Sequence, residues 1–241
     1  LEGEEASVIA LGDGERFVLL APAQDHKRVG EGDTGPNTGG MGAYSPTPAV
    51  GEADLRVVAD KVIGPAVRQL AKEGRPFRGA LYAGLMMTAQ GPKVIEFNAR
   101  LGDPETQTIL ARLESDLLPA LHAAAKGDLR GVELAFSEKA AITVVLAAEG
   151  YPGKVRTGDP IAGLDQVQED DDLIVFHAGT ALRDGRVVTS GGRVLGVTAR
   201  GATVEEARER AYRACETIHF AGMHYRRDIA HRALARSGGS K

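Results

Sequence analysis

Glu96 and Asn98 flank Phe97 in the run Val94-Ile95-Glu96-Phe97-Asn98, and in an extended chain that spacing turns a carboxylate and an amide oxygen to one side. Two hard oxygen donors held side by side can complete, with waters and phosphate oxygens, the octahedral shell of a nucleotide-bound Mg²⁺. The same alternation, with Ile95 and Phe97 turned the other way, also describes a half-exposed strand with a polar outer face. Arg100 follows two residues on, at the head of Arg100-Leu101-Gly102-Asp103-Pro104-Glu105. A guanidinium there, beside the positive end of a helix, suits a phosphoryl group in transfer, where catalysis is mostly positioning and charge neutralisation. A surface pair of Arg100 with Asp103, the latter a plain N-cap, is the simpler alternative.

A second candidate lies upstream. Gly30 to Gly42 holds six glycines in thirteen residues, interleaved with Thr34, Asn37 and Thr38. Such a stretch either presents bare backbone amides to an anion, closes over a ligand, or is a mobile surface loop. It is neither Gly-x-x-x-x-Gly-Lys-Ser/Thr nor a strand-coupled Gly-x-Gly-x-x-Gly. Gln24-Asp25-His26-Lys27-Arg28, just ahead, offers two cations and a carboxylate or forms a solvated turn. The six histidines have no zinc spacing, and no Gly-x-Ser-x-Gly elbow occurs. Cys215, the one cysteine, falls on the apolar side of a helical pattern with Ala211 and Ile218, which predicts a small core residue.

These residues need elements to hold them. Ala6 to Leu11 and Arg16 to Pro22 are β-rich runs about Gly12-Asp13-Gly14, a hairpin signal. Gln24 to Pro48 lacks periodicity and reads as a long loop of the kind that carries function. Glu52 to Glu73 has helical spacing broken at Gly64-Pro65, giving one kinked helix or two short ones. Ala80 to Thr88 and Lys93 to Asn98 are strands. Glu105 to Lys126 reads as one amphipathic helix, with Asp103-Pro104 as its cap and first turn and Gly127 as its stop. Beyond it come strands at Ala140 to Ala148, Leu173 to Ala178, Arg186 to Ser190 and Arg193 to Ala199. A helix over Val204 to Ala221 follows, and a last short one over Asp228 to Ala235.

The composition narrows the class. The chain has 241 residues, 43% of them apolar, enough for one or two domains. A net charge of -4 removes the basic footprint of a nucleic-acid binder. No apolar run approaches a membrane span, no signal segment opens the chain, and a single cysteine cannot build a disulfide framework, so a cytoplasmic setting is expected. The start at Leu1, running at once into an acidic segment and a strand, suggests a beginning inside a domain.

Several segments together resemble one family. Leu1-Glu2-Gly3-Glu4-Glu5-Ala6-Ser7, Gln24-Asp25-His26-Lys27-Arg28, Asp33-Thr34-Gly35-Pro36-Asn37-Thr38-Gly39-Gly40-Met41-Gly42 and Glu96 to Glu105 are similar to the glycinamide ribonucleotide synthetases (phosphoribosylamine-glycine ligases) of the ATP-grasp superfamily. The likeness continues through Ala147 to Gly153 and Gly191 to Val197. It implies an α+β fold: the carboxyl-terminal part of an ATP-grasp catalytic domain over 1–133, then a small β-rich domain with a packed helix over 134–241. By the resemblance, Glu96 and Asn98 hold Mg²⁺ (or Mn²⁺), the segment at Leu1 lies against the adenine of ATP, Glu5 reaches the ribose hydroxyls, and Arg100 faces the phosphates. Asp25, Lys27, Gly39, Gly40, Asp103 and Glu105 would bind substrate. The implied reaction is phosphorylation of the glycine carboxylate by ATP and displacement of that phosphate by the amine of 5-phosphoribosylamine.

Two departures follow. Family members carry an amino-terminal domain, a glycine-rich flap and nucleotide-binding lysines before the residue matching Leu1, so this chain is expected to lack that part and not to complete the reaction alone. Leu81 to Met87 carries no further acidic metal ligand. A non-catalytic module that needs a separate amino-terminal subunit as partner is one alternative. A carboxylase-type ATP-grasp enzyme, sharing the Glu-x-Asn strand, is another, opposed by the Asp33 to Gly42 segment.

Overall fold

The computed structural model describes residues Leu1–Ser237. In chain order, β1 (Glu4–Asp13) and β2 (Phe17–Leu19) form a hairpin, and β3 (Gln24–Asp25), β4 (Arg28–Gly30), β5 (Thr34–Asn37) and β6 (Gly42–Ser45) are short strands. α1 (Glu52–Val58) runs through a π-helical turn (Ala59–Ile63) into α2 (Gly64–Lys72). β7 (Arg78–Thr88) and β8 (Gly91–Asn98) precede α3 (Glu105–Ala111) and α4 (Leu117–Lys126). β9 (Ala140–Ala147), β10 (Leu173–His177), β11 (Thr180–Arg183), β12 (Arg186–Thr189) and β13 (Arg193–Gly201) lead to α5 (Val204–Thr217) and α6 (His231–Ser237). Two compact units share the chain in alternating segments. The first takes Leu1–Gln24, Ser45–Gly102 and Arg112–Glu138; the second takes Asp25–Tyr44, Asp103–Ala111 and the chain from Lys139 onward.

The first unit is built on an antiparallel sheet of order β2-β1-β7-β8. Asp13 closes the expected hairpin: its buried carboxylate accepts the N–H groups of Glu15 and Arg16 and also that of Leu129. One sheet face carries Ala6, Val8, Ala10, Leu81, Ala83 and Leu85, packed against Val58, Val62, Ile63 and Val67 of the helical layer. Each fully buried aliphatic side chain such as Ile63 contributes about 1.5–3 kcal/mol. The opposite face is covered at one end, where Leu11 meets Ala120, Ala124 and Leu129. The kink foreseen at Gly64-Pro65 is a π turn just ahead of the proline, a widening that accommodates a residue without an N–H.

The single helix read over Glu105 to Lys126 is two. The chain leaves helix after Ala111 and restarts at Leu117, with the Asp116 side chain accepting the Leu118 N–H as an N-cap and Gly127 ending it at φ +86°. Pro119 is the reason, since it lacks an N–H and clashes with the carbonyl four residues back inside a long helix but is tolerated in a first turn. Arg112, in the break, is buried and donates to the Ser45 hydroxyl at 2.6 Å and to the Ser137 carbonyl at 2.9 Å.

The second unit centres on a sheet of order β10-β13-β9-β6-β3. β9 is buried along its whole length, as its apolar run, interrupted only by Thr143, requires. Its one polar member, Thr143, lies in a hydroxyl chain from Thr108 to Thr198 at 2.8 Å per step. α5 covers the sheet with Ala207, Ala211, Ala214 and Cys215, and burial pushes the Cys215 thiol up, in keeping with an inert core residue. Thr203 caps α5 through the Glu206 N–H, and Glu206 answers through the Ala202 N–H. Four strands occupy the region read as a loop from Gln24 to Pro48: β4 and β5 make a ribbon, and β6 is a fully buried sheet strand. Short strands rich in glycine leave no period to read. β11, paired with β12, is likewise absent from the sequence reading.

Candidate functional site

In the first unit the register of β8 against β7 decides which side chains share a face. Asn98 pairs with Tyr82, Phe97 with Ala83 and Glu96 with Gly84, and the register then slips so that Val94 pairs with Leu85. Glu96 and Asn98 therefore lie on one face, as their spacing predicts, and Phe97 on the other. Ile95 is the extra residue of a β-bulge, so it does not simply share the Phe97 side. Through Ser7↔Gly84 and Glu5↔Met86, Ser7 and Glu5 of β1 stand on the Glu96 face too. Gly84 makes room there, since a Cβ on it would come within 3.1 Å of the Glu96 Cγ.

Tyr82 and Ser7 join hydroxyls at 2.9 Å on this face, and the Arg100 guanidinium lies over the Tyr82 ring, 5.8 Å from its centroid. Arg100 also donates to the Leu101 carbonyl at 3.0 Å. The Glu5 carbonyl accepts from the Gln24 amide, and Leu1 is exposed. The Asn98 Nδ2 is buried with no hydrogen-bond partner. Among the described residues no group of three or more His, Cys, Asp or Glu is placed to hold a metal. Glu96 and Asn98 thus offer two hard oxygens rather than a full cage, which fits an ion that shares its shell with phosphates and water.

In the second unit the glycine-rich segment turns out to be braced, not bare. The Gly39 N–H donates to the Tyr151 hydroxyl at 2.9 Å, Gly40 N–H to Thr38 Oγ1, Thr38 N–H to the Lys27 carbonyl and Met41 N–H to the His26 carbonyl. These amides are engaged within the fold, so the anion-cradle reading loses its donors here. The glycines serve close approach. Gly40 sits at φ +115°, where a Cβ would come within 2.4 Å of Pro104 and 2.8 Å of the Asp25 carboxylate. Arg193 Nη1 donates to the carbonyls of Gly39 and Asp103, each at 2.8 Å, and its Nη2 to the Asp103 carboxylate at 3.0 Å.

Asp25, Gly39, Gly40 and Asp103 are thereby gathered in one place. The partner of Asp103 is Arg193 rather than Arg100, and Gln107 takes its second oxygen at 3.2 Å, so its carboxylate is engaged there rather than at the head of a long helix. Glu105 opens α3 as a buried side chain, and Lys27 is half-buried. A cavity of about 210 Å³ adjoins Asp103, lined also by Gln107, Thr143, His177 and Arg193. Arg193 and Tyr151 escaped the sequence reading of single residues, because nothing in a lone arginine or tyrosine points to a partner over a hundred residues away.

A buried charge cluster fixes the ribbon that leads into this segment. Arg226 is fully buried and donates to Asp33 at 2.9 Å, to both oxygens of Asp228 at 2.7 Å and to the Arg28 carbonyl at 3.1 Å. His26 Nδ1 stands 3.7 Å from Asp33, and Arg232 also donates to Asp33. His26, Arg226 and Arg232 together hold the Asp33 carboxyl far below the usual range. Burial, more than any charge nearby, drops His26 to about 4, so the ring is neutral at pH 7. Its Nε2 accepts the Ala230 N–H at 3.0 Å.

Comparison with known proteins gives this geometry a class. A solved phosphoribosylamine-glycine ligase from Thermotoga maritima matches with a TM-score of 0.85 and 38% identity, covering 95% of this chain and 56% of that one. A biotin carboxylase domain of a thermophilic 2-oxoglutarate carboxylase matches with a TM-score of 0.66 over 91% of this chain and 48% of that one, at 16% identity, a likeness of fold alone. The fold is thus that of ATP-grasp proteins. Residues 1–106 match the phosphoribosylglycinamide synthetase ATP-grasp (A) domain and residues 141–232 its C domain, and the chain belongs to the phosphoribosylglycinamide synthetase family. The phosphoribosylamine-glycine ligase of Agrobacterium fabrum is 52% identical over 236 residues, which are 98% of this chain and 55% of that protein. The chain spans a little over half the length of the curated bacterial relatives it matches. Among the described residues no helix is long and apolar enough to cross a membrane.

Proposed function

We propose that this chain supplies metal, phosphate and substrate contacts to an ATP-dependent ligase that joins glycine to 5-phosphoribosylamine, giving glycinamide ribonucleotide, ADP and phosphate. The observation that carries this reading is the strand face on which Glu96 and Asn98 stand together with Arg100 stacked over Tyr82 beside them. Glu96 and Asn98 would hold Mg²⁺ or Mn²⁺, which when bound neutralises charge on the nucleotide phosphates. Arg100 contacts the transferring phosphoryl group and the acyl phosphate of glycine, its planar fork matched to phosphate oxygens. Glu5 and the segment at Leu1 hold the nucleoside.

In the second unit, the carboxylates of Asp25, Asp103 and Glu105 suit the ammonium and hydroxyl groups of the two amine substrates, and Lys27 suits a phosphate. Gly39 and Gly40 bring backbone close to them. A glycine carboxylate oxygen attacks the γ-phosphorus of ATP and ADP leaves; the amine of phosphoribosylamine then attacks the glycyl carbonyl carbon, phosphate leaves and the amine proton is lost to solvent. Steady-state ADP release by the full-length gene product tests this. It is expected to require glycine and freshly made phosphoribosylamine together. ADP release driven by bicarbonate and indifferent to glycine would replace this reading with a carboxylase.

A further inference from the structure

We propose that Arg193, with Tyr151 beside it, is a positioning residue: it fastens the Gly39-Gly40 turn to the Asp103 backbone and aims the Asp103 carboxylate toward substrate. This rests on the ligase reading for what Asp103 contacts, but the clasp itself is geometric. One planar guanidinium serves three acceptors, two carbonyls and a carboxylate oxygen, at 2.8, 2.8 and 3.0 Å. No flexible ammonium can meet all three at once from one rotamer. Arg193 opens β13, a strand paired on both sides, by β9 and by β10, so its base is rigid.

The second arm is equally specific. Tyr151 accepts the Gly39 N–H, and its ring lies where a Cβ on Gly192 would come within 2.4 Å, so glycine at 192 is what admits the ring. A Cβ on Gly39 would stand 3.2 Å from the Arg193 Cζ and 3.3 Å from the Tyr151 hydroxyl. The turn is thus gripped from two sides. Asp103 gives one oxygen to Arg193 and the other to Gln107, yet its side chain stays half exposed, leaving a lone pair on each oxygen for a donor from outside. The adjoining cavity of about 210 Å³ has room for a small polar molecule.

The test uses the full-length gene product with Arg193→Ala, Arg193→Lys and Tyr151→Phe. Amide hydrogen exchange at Gly39 and Gly40 is expected to quicken about tenfold or more in Arg193→Ala, less in Tyr151→Phe, and to be only partly restored by lysine. The KM for an amine substrate should rise about tenfold in Arg193→Ala while the KM for ATP stays within about twofold. Unchanged exchange at Gly39 and Gly40 overturns the clasp. Faster exchange with the KM for all three substrates rising together, alongside a lower melting temperature, overturns the positioning role and leaves a structural one. A wild-type protein without glycine-dependent ADP release removes the ligase reading instead, and the exchange result still decides the clasp.

Discussion

The outer face of β8 and the segment from Arg28 to Gly42 both carry candidate functional groups, and they are built on opposite terms. On β8 Glu96 stands exposed on an edge strand and Asn98 Nδ2 is left unbonded, while Arg100, just beyond it, is held chiefly by a ring and one carbonyl. From Arg28 to Gly42 the groups are tied: amides to side chains and carbonyls, Asp33 to two guanidiniums, the Gly39 carbonyl to Arg193. The difference separates two ways of making a site. Open donors leave room for a charged group to complete them, whereas backbone between the short strands, as at Thr38 to Met41, must be braced where no ladder of sheet or helix hydrogen bonds holds it.

Substitutions can sharpen or break this contrast. The largest effect is expected on β8: Glu96→Gln in the full-length gene product should lower turnover about 10²-fold or more and raise the Mg²⁺ concentration needed, with thermal unfolding unchanged. Unaltered turnover and Mg²⁺ dependence would remove Glu96 from the metal. Next comes the brace. Arg226→Ala leaves Asp33 and Asp228 without their buried partner and should cost about 3–5 kcal/mol in chemical denaturation, whereas Arg100→Ala should cost no more than about 1 kcal/mol. Equal losses in the two variants would erase the contrast.

The smallest effect is a pH slope. His26 holds a folded value of about 4 against an ordinary 6.5, so the unfolded chain binds the proton more tightly than the fold does. Its contribution is fully present above 6.5 and is lost as pH falls toward 4, on the order of 3 kcal/mol in all. Asp33, depressed by His26, Arg226 and Arg232, adds loss in the same direction as pH falls below its ordinary value. Asp228, in the same cluster, is held below its ordinary value by Arg226 and the Gly32 N–H against the effect of burial, and its loss runs the same way. Melting temperatures between pH 7 and 4.5 should therefore fall more steeply in the wild type than in His26→Gln. Parallel slopes would show that His26 is not the group refusing the proton.

What the sequence made legible follows the same division. Alternation at Glu96 and Asn98 is a local signal, and strand geometry preserved it despite the bulge at Ile95. A cap at Asp116 sat at the helix break, and Pro119 marked it, but the apolar spacing from Ile109 to Leu121 runs on through the gap and hides it. Asp25, Gly39, Gly40 and Asp103, which only family motifs had put forward together as candidates, do gather, although no local rule brings them together. The pairings of Arg193 and Tyr151 with Gly39, and of Arg226 with Asp33, had no local signal, because those partners lie far along the chain and the contacts are made by folding, not by spacing.

The alternation of segments between the two units also sets an order of events in time. Gly42–Ser45, buried in full as β6, has β9 as its neighbour in the sheet, and β9 begins at Ala140. At a synthesis rate of roughly 5–20 residues per second, some 5–20 seconds pass between the two emerging. For that interval Met41, Ala43 and Tyr44, all fully buried in the finished protein, have only the two-residue β3 of their sheet beside them. A ribosome-bound chain halted before Ala140 should therefore be a good client for chaperones, and one halted after Gly201 should not.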